Sequence, residues 1–300
     1  MTDWFPSEIL KTIEVLKDII QIHANKYAPF YLIILSDLLR DYSLQEPSDL
    51  RIRRRKSPLP EENIRIRYEK SLNKKIEALK FCFDIHGPIK SKVIAHNADV
   101  REWSNIQKHI KKDTFDFALT SPPYATALPY IDTQRLSLVW LNLLKSEDIR
   151  KTEENLIGSR ETRKQELFNI TNSMLKNNCS LPESAWKYCR MLNNNIAEND
   201  GFRRQAVPAL LYRYFSDMMR TFQAVHTAMK PNGIYALIVG HNRTTLGGTQ
   251  FQIETPRYLV DIAVDHGWFI LESIPLETYK RYGIHASNAV LDETLLLLKK

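Results

Sequence analysis

The chain has 300 residues, 43% of them hydrophobic and 26% charged, which is the composition of a globular protein with a substantial core. It contains no apolar run long enough to span a bilayer and no recognisable signal peptide, so we expect no membrane partner. The formal net charge of +7 favours a polyanionic partner. Cys82, Cys179 and Cys189 are too widely spaced for a disulfide framework or a zinc site, so we expect a cytoplasmic protein without a metal.

The first forty residues predict two helices. Ser7 can cap the first, in which isoleucine and leucine recur at helical spacing up to Ile20. The second runs from Pro29 to Arg40 and is apolar nearly all round, so we expect it to be buried on more than one side.

The basic segment, Arg51–Lys56, lies in the part of the chain where positive charge is concentrated. Eleven basic and four acidic residues occur between Arg51 and Lys80, an excess equal to that of the whole chain. One interpretation is an arm that contacts nucleic-acid phosphates. Its candidate contacts are Arg51, Arg53, Arg54 and Arg55. The other interpretation is a solvated linker followed by a polar helix over Glu61–Phe83, and both stay open.

A strand is predicted at Lys92–His96, where Val93 and Ile94 are β-branched. Asp99 follows it and can cap a helix that we expect between Val100 and His109.

The next stretch, Phe115–Tyr124, predicts a strand that ends in a rigid polar turn. Its apolar first half suits a strand buried on both faces. Pro122 and Pro123 end that strand. Because proline has no backbone N–H, neither of them can donate a hydrogen bond to the carbonyl of Ser121 or Pro122. We call Ser121–Tyr124 the corner. Its acceptors could bind the exocyclic amino group of a nucleobase and draw the nitrogen toward tetrahedral geometry, while Tyr124 stacks on the base.

Thr120-Ser-Pro-Pro-Tyr124 resembles the catalytic motif of the amino-methyltransferases, which methylate cytosine N4 or adenine N6 in DNA with S-adenosylmethionine. The resemblance continues through Ala125–Arg135 and extends over most of the chain. It implies that Tyr124 stacks on a base flipped out of the duplex. A serine at the first position is commoner in the N4-cytosine enzymes, so cytosine is the expected target. The catalytic residues that the resemblance implies are Ser121, Pro122, Pro123 and Tyr124.

The same resemblance implies further site residues and a host context. On the cofactor side the candidates are Asp99, Asp116 and Thr120, although capping remains an equal explanation for Asp99. As DNA contacts the candidates are Arg135, His241 and Asn242. Such an enzyme could belong to a modification or defence system.

The second half of the chain continues the pattern of an α/β protein. Residues 145–205 are polar, with helical pieces around 160–175 and 183–194, and we expect an insertion that either contacts DNA or is mobile. Pro208–Met229 is an amphipathic helix, followed by a buried strand at Ile234–Val239. His241 and Asn242 stand at the carboxyl end of that strand, where open α/β sheets bind ligands.

The end of the chain predicts one more helix and a hairpin. The helix begins at Thr255 or Pro256 and ends at Gly267. Trp268–Ile274 and Ala289–Leu298 then predict two antiparallel strands, joined through a polar aromatic loop at Tyr279–His285.

A complete enzyme of the resembled type needs a turn written Asp-Pro-Phe-x-Gly-x-Gly after its first strand. The chain has nine glycines and no Gly-x-Gly, and Gly247-Gly248 follows the wrong strand. In the class I methyltransferase sheet the strand order is 3-2-1-4-5-7-6, so the strands predicted at Lys92–His96 and at Asp116 would flank a gap two strands wide. Unpaired buried edges are costly, so a second polypeptide should supply strands 1 and 2 and the glycine-rich loop that binds the cofactor.

The expected fold is therefore α/β: an incomplete class I, Rossmann-like methyltransferase fold that lacks strands 1 and 2 and the glycine-rich loop. Residues 1–90 would form a helical region with the basic segment, and residues 91–300 the catalytic half. A fragment of a longer single chain would give the same sequence. Methylation of an RNA amino group, for example in tRNA, and a non-catalytic nucleic-acid-binding subunit are the alternative functions.

Overall fold

The structure is a computed structural model that describes residues 2–49, 52–88, 91–126, 130–277 and 292–300. Its helices are α1 (Ser7–His23), α2 (Ala28–Tyr42), α3 (Ile64–His86), α4 (Trp103–Ile106), α5 (Tyr130–Trp140), α6 (Ile149–Glu154), α7 (Lys164–Lys176), α8 (Glu183–Asn194), α9 (Phe202–Gln205), α10 (Val207–Ala228) and α11 (Thr255–Asp265). Its strands are β1 (Phe115–Thr120), β2 (Met229–Gly240), β3 (Asn242–Leu246), β4 (Thr249–Ile253), β5 (Phe269–Glu277) and β6 (Asp292–Lys299). Arg51, the loop predicted at Tyr279–His285 and the start of the strand predicted from Ala289 lie outside the described residues.

The chain divides into two compact units. The first comprises Met1–Ile94 with Pro129–Glu153, and the second comprises Ala95–Leu128 with Glu154–Lys300. The division predicted from the sequence fell at residue 90. Among the described residues, none of the helices combines the length and the apolar character that crossing a membrane requires.

The first unit is a helical cluster around the apolar second helix. Leu35 and Leu39 of α2 and Ile13 of α1 are fully buried, as the spacing of apolar residues predicts. Trp140, at the end of α5, is buried in the same cluster. Its indole Nε1 donates a hydrogen bond to Glu14 Oε1 at 2.9 Å, which satisfies the one polar atom of the ring.

Helix α3 is packed over its first half only. The side chain of Asn63 caps it by accepting a hydrogen bond from the backbone N–H of Arg65 at 2.9 Å. Tyr68 is buried in the helical cluster, and the apolar stripe of α3 continues to Leu79 and Phe83. Both of these residues are exposed, so nothing in the described residues covers the second half of the stripe.

The second unit is built on a four-stranded mixed sheet in the order β1-β2-β6-β5. Strand β1 is parallel to β2, and β6 is antiparallel to both β2 and β5. The predicted closing hairpin is therefore confirmed. One face of the sheet packs on α10 and α11, where Tyr235, Leu237, Leu296 and Leu298 join the core.

The polar insertion at 145–205 contributes to this core. Met174 of α7 and Cys189 and Leu192 of α8 are fully buried, and both helices pack on α10. One side of each of these two helices therefore supplies apolar side chains to the core, and contact of the insertion with DNA stays a prediction.

Two strand predictions need correction. Residues 92–96 form no strand, and Val93 and Ile94 are exposed, because no described strand lies beside this segment to complete a ladder. Of the helix expected between Val100 and His109, only Trp103–Ile106 is helical, as α4. Strand β1 exists as predicted but is not buried on both faces, since it forms an edge of the sheet and Phe117 and Leu119 are exposed.

A small hairpin follows β2. Strands β3 and β4 are antiparallel, and Gly247 and Gly248 form the two-residue turn between them with φ of 54° and 79°. These left-handed angles are the ones that glycine adopts without strain. Asp200 accepts a hydrogen bond from the N–H of Gly247 at 2.9 Å and ties the turn to the segment before α9.

Candidate functional site

The corner begins where β1 ends. Thr120 is the last residue of β1 and pairs with Leu237 of the parallel strand β2. Ser121 is exposed, Pro122 is buried and Tyr124 is half-buried. The corner therefore lies at the carboxyl end of a strand that is parallel to its neighbour. Its first residue, Ser121, is open to solvent, and Pro122 is buried.

The aromatic ring of the corner is oriented by a carboxylate. The hydroxyl of Tyr124 donates a hydrogen bond to Oε1 of Glu293 at the start of β6. A hydrogen bond to a charged acceptor is stronger than one between neutral groups, so this contact fixes the direction of the ring. Glu293 was not among the site residues predicted from the sequence, although a charged residue at the start of an otherwise apolar strand is a visible signal.

The backbone of the corner rests directly on Gly158. A Cβ atom at this position would lie 2.5 Å from the carbonyl oxygen of Tyr124, and the φ of Gly158 is +74°. Both facts require glycine, because a side chain would collide with the corner and would also adopt a strained backbone conformation. An isolated glycine in the glycine-poor segment 145–205 was the only sequence signal for this contact.

The residues just after the corner are held by two side chains. Thr126 has a φ of 56°, which is unusual for a β-branched residue. Nε of Arg160 donates to the carbonyl oxygen of Thr126, and Nδ2 of Asn242 donates to the carbonyl oxygen of Ala125. Asn242 Nδ2 also lies 3.3 Å from Oγ1 of Thr126. These contacts stabilise the strained turn that leaves the corner.

The segment that contains Gly158, which we call the support of the corner, is held by a residue of α10. Arg213 donates from Nη2 to the carbonyl oxygen of Ser159 at 2.6 Å, and its Nη1 lies 3.6 Å from Oε1 of Glu166. Burial lowers the pKa of the Arg213 guanidinium, and the nearby carboxylate of Glu166 opposes that effect. A largely buried arginine therefore fixes the loop on which Tyr124 rests.

Asp99 belongs to a charged network one turn further along α10. Its carboxylate accepts hydrogen bonds from Arg101, with Nη2 at 2.8 Å, and these bonds lower the pKa of Asp99. Nη1 of Arg101 in turn donates to Asp217 at 3.2 Å. Burial raises the pKa of Asp217, whereas Arg101 lowers it. Asp217 and Arg213 are four residues apart on the same face of α10, and each shifts the pKa of the other, so this network adjoins the support of the corner.

Asp116 lies at the other end of β1. Its carboxylate oxygens both accept from Nζ of Lys230 at 2.9 Å, and its side chain is exposed. Four residues of extended strand separate it from Thr120, which corresponds to about 13 Å. The structure thus brings Thr120 to the corner and leaves Asp116 at the opposite end of β1, and a role of either residue on the cofactor side stays a prediction.

The described arginines of the basic segment are used inside the first unit. Arg55 donates to the carbonyl oxygens of Asp41 at 2.6 Å, Pro58 at 2.8 Å and Gln45 at 3.3 Å. Arg54 donates to the carbonyl oxygen of Asp3 at 2.7 Å and stacks on Trp4.

Arg53 makes an exposed ion pair with Asp49 at 2.9 Å. Over residues 53–55, two of the three guanidinium groups bind backbone carbonyls of the first unit, and contact of the segment with nucleic acid stays a prediction.

The remaining DNA-contact candidates lie in different places. Arg135 is in the first unit, on α5, and pairs with Asp132 at 3.1 Å. His241 follows β2 in the second unit, and its Nδ1 is buried without a hydrogen-bond partner among the described residues. Asn242 binds the backbone after the corner, as described above. Contact of any of these residues with DNA stays a prediction.

No protein-family model matches the chain, and no curated protein matches it. The structure is similar to three crystal structures of a Thermus thermophilus protein named "Putative DNA Modification Methylase": a selenomethionine derivative, a complex with S-adenosyl-L-methionine and a further crystal structure. The identities are 13%, 14% and 14%, and the TM-scores are 0.31, 0.34 and 0.34. Each match covers 68% of this chain and 50%, 54% and 52% of the neighbour, about half of its length. Likeness at this level carries no weight for function.

Proposed function

We propose that the chain is the amine-binding subunit of a DNA amino-methyltransferase that acts on cytosine N4 with S-adenosylmethionine as the methyl donor. The observation that carries this proposal is the position of the corner in the sheet. The order β1-β2-β6-β5, with its parallel first pair and antiparallel β6, corresponds to strands 4-5-7-6 of the class I methyltransferase sheet. Ser-Pro-Pro-Tyr then stands at the carboxyl end of strand 4, where the resembled family carries its catalytic motif.

The described residues of the corner provide hydrogen-bond acceptors for an amino group and an aromatic ring for its base. Ser121 is exposed, and the carbonyls of Ser121 and Pro122 are next to a proline nitrogen that cannot donate. These acceptors would bind the two hydrogens of the target amino group and orient its lone pair. The ring of Tyr124, oriented by Glu293, would stack on the flipped base. Positioning of the amine is the main contribution that these residues make.

The chain's own residues do not fit the methyl donor. A cofactor of this kind needs a backbone that approaches it closely through glycine, at the carboxyl end of a strand beside β1. Gly247 and Gly248, the only adjacent pair of glycines in the sequence, form the turn of the β3–β4 hairpin, and no described strand lies on the open side of β1. A second polypeptide with the glycine-rich loop would therefore hold S-adenosylmethionine, and the assembled enzyme would be a cytoplasmic heteromer.

The test is transfer of a radiolabelled methyl group to DNA and to tRNA, with and without the polypeptide of the adjacent reading frame if that frame encodes Phe-x-Gly-x-Gly. Labelling of DNA only when both chains are present is the expected result. Labelling of tRNA instead would favour the RNA enzyme, and activity of this chain alone would overturn the split arrangement.

Variants of the corner separate catalysis from a scaffold role. Tyr124→Ala should lower kcat/KM by about 10- to 100-fold, the range expected for the loss of one stacked base. Ser121→Ala should cost about 10-fold, because the carbonyls remain. Tyr27→Ala, which removes an exposed tyrosine of the first unit, is the control and should have no effect. Two unaffected corner variants in an active complex would indicate a non-catalytic subunit.

A further inference from the structure

The β3–β4 hairpin has two different faces. Residues that pair directly in an antiparallel ladder share a face. The inner face packs on the core of the second unit through Leu246 and Ile253, which are both buried. The outer face consists of two cross-strand pairs, Arg243 with Gln252 and Thr245 with Gln250. Its arginine and both glutamines are exposed, and none of the four residues carries a negative charge. The outer face is therefore polar, open to solvent and compatible with phosphate groups.

The polar insertion at 145–205 holds the hairpin through its backbone. The carboxylate of Asp200 accepts a hydrogen bond from the N–H of Gly247 at 2.9 Å. The hydroxyl of Tyr188, in α8, donates to the backbone carbonyl oxygen of Gln252 at 2.6 Å. Because both contacts use backbone atoms, they fix the ribbon and leave the side chains of the outer face to solvent. A binding surface on such a rigid element presents its donors and acceptors in fixed positions.

The hairpin begins beside the corner. Strands β1 and β2 are parallel, so the corner and the start of β3 lie at the same edge of the sheet. Asn242, the first residue of β3, donates a hydrogen bond to the carbonyl oxygen of Ala125, the residue after the corner. Strand β3 extends roughly 13 Å from Asn242 to Leu246, which equals the rise of about four base pairs along B-DNA. When a nucleotide is flipped out, the base pairs beside it stay in the duplex. The hairpin thus has the length to contact those base pairs while the flipped base lies at the corner.

We propose that the outer face of the β3–β4 hairpin binds base edges in the major groove of duplex DNA, within about four base pairs of the target nucleotide. The proposal rests on the function proposed above and assigns to this face the recognition of the flanking sequence. A two-stranded ribbon fits the major groove, where glutamine pairs with adenine, arginine with guanine, and threonine with either donors or acceptors.

Two other occupants fit the outer face less well. Duplex RNA has a major groove too deep and narrow for side chains to reach the base edges. A protein partner would be expected to bury aromatic or other large apolar side chains at the centre of the interface, and the outer face has none.

Photo-crosslinking in the native host tests where the DNA lies. Benzoylphenylalanine at position 250, on the outer face, should crosslink to DNA. The same group at position 249 is the matched control, because Thr249 is also exposed but belongs to the inner face. It should give no crosslink to DNA. A crosslink from position 250 to RNA or to protein, equal yields from both positions, or no crosslink from position 250 would overturn the proposal.

The combined substitution Gln250→Ala and Gln252→Ala tests sequence recognition. Both side chains are exposed, so the melting temperature should not change. In a map of N4-methylcytosine over the host genome, the preference for at least one flanking base pair should weaken by about 10-fold or more, because a bidentate contact to a base is lost. Thr249→Ala should leave the map unchanged. An unchanged map for the double substitution would overturn the recognition role.

Methyl transfer by the assembled enzyme separates this proposal from the proposed function. A crosslink from position 250 to DNA without any methyl transfer would refute the proposed function and retain the hairpin as a DNA contact. Methyl transfer to DNA with an unchanged map and no crosslink would refute the role of the hairpin and retain the function.

Discussion

The corner and the basic segment are two polar stretches that use their hydrogen-bonding groups in opposite ways. At the corner, Gly158 and Asn242 contact the backbone, and Ser121 stays exposed. In the basic segment the guanidinium groups of Arg54 and Arg55 donate hydrogen bonds to carbonyls of their own unit. A polar segment can serve a ligand only if its support leaves its functional atoms unoccupied. Substitutions in the two segments should therefore have different effects on stability and on activity.

The largest effect is expected at the support of the corner. Gly158→Ala should destabilise the chain by about 3 kcal/mol, because it adds a collision with the Tyr124 carbonyl to a left-handed φ. Gly248→Ala is the matched control: its φ is +79° and nothing lies within 4 Å of the added Cβ, so about 1 kcal/mol is expected. Urea unfolding measures both. Equal losses would show that Gly158 does not contact the corner as described.

Arg55→Ala should cost about 2 kcal/mol of unfolding free energy, because it removes hydrogen bonds from a charged donor to three carbonyls. Arg53→Ala removes only an exposed ion pair and should cost less than about 1 kcal/mol. DNA affinity at fixed salt should respond to Arg55→Ala no more than to Arg53→Ala. A stable Arg55→Ala chain with weakened DNA binding would restore the role of a phosphate-contacting arm.

Asn242→Ala tests whether this side chain positions the corner. Loss of the hydrogen bond to the Ala125 carbonyl should cost about 1 kcal/mol and lower methyl transfer by the complex up to about 10-fold. Because the substitution acts through the backbone, DNA affinity should not change. Reduced DNA affinity at an unchanged melting temperature would instead identify Asn242 as the direct DNA contact that the sequence suggested.

The smallest effect concerns the acid stability of the basic segment. The backbone N–H of Lys56 and the hydroxyl of Ser48 lower the pKa of Glu46 from 4.5 to about 2. A lowered folded-state pKa stabilises the fold above pH 4.5, and this contribution is lost as the pH falls toward 2. Glu46→Gln should therefore show a shallower loss of stability over this window than the wild type in acid titrations. Identical titration curves would mean that the segment is not held by this carboxylate.

Periodic segments of this chain could be predicted from the sequence. The amphipathic pattern of α10, the final hairpin and α8 were recovered because local spacing determines which face is buried. The segment at 92–96 was not, since its β-branched residues fit a strand only where a neighbouring strand exists to pair with. The β3–β4 hairpin was missed although Gly247-Gly248 is a two-residue turn signal, because its strands show little apolar alternation.

The corner was predicted from the sequence, whereas the residues that contact and support it were not. Ser121–Tyr124 could be recognised because the prolines fix the local geometry. Gly158, Arg160 and Glu293 contact this segment from positions at least 34 residues away in the sequence; Arg160 and Thr126 are one such pair. No local sequence pattern predicts contacts over such a separation. Asp116 was assigned to the cofactor side by the resemblance, and the sequence did not show that an extended strand places it about 13 Å from Thr120.

The exposed half of α3 has a consequence for the dynamics of the chain. Leu79, Phe81 and Phe83 lie in water, so this half of the helix is held mainly by its own backbone hydrogen bonds. Helical segments of such length are marginal in water without tertiary packing. Amide protons between residues 76 and 86 should therefore exchange through local fraying rather than through global unfolding, whereas those near the buried Tyr68 should be protected by the whole stability of the helical cluster.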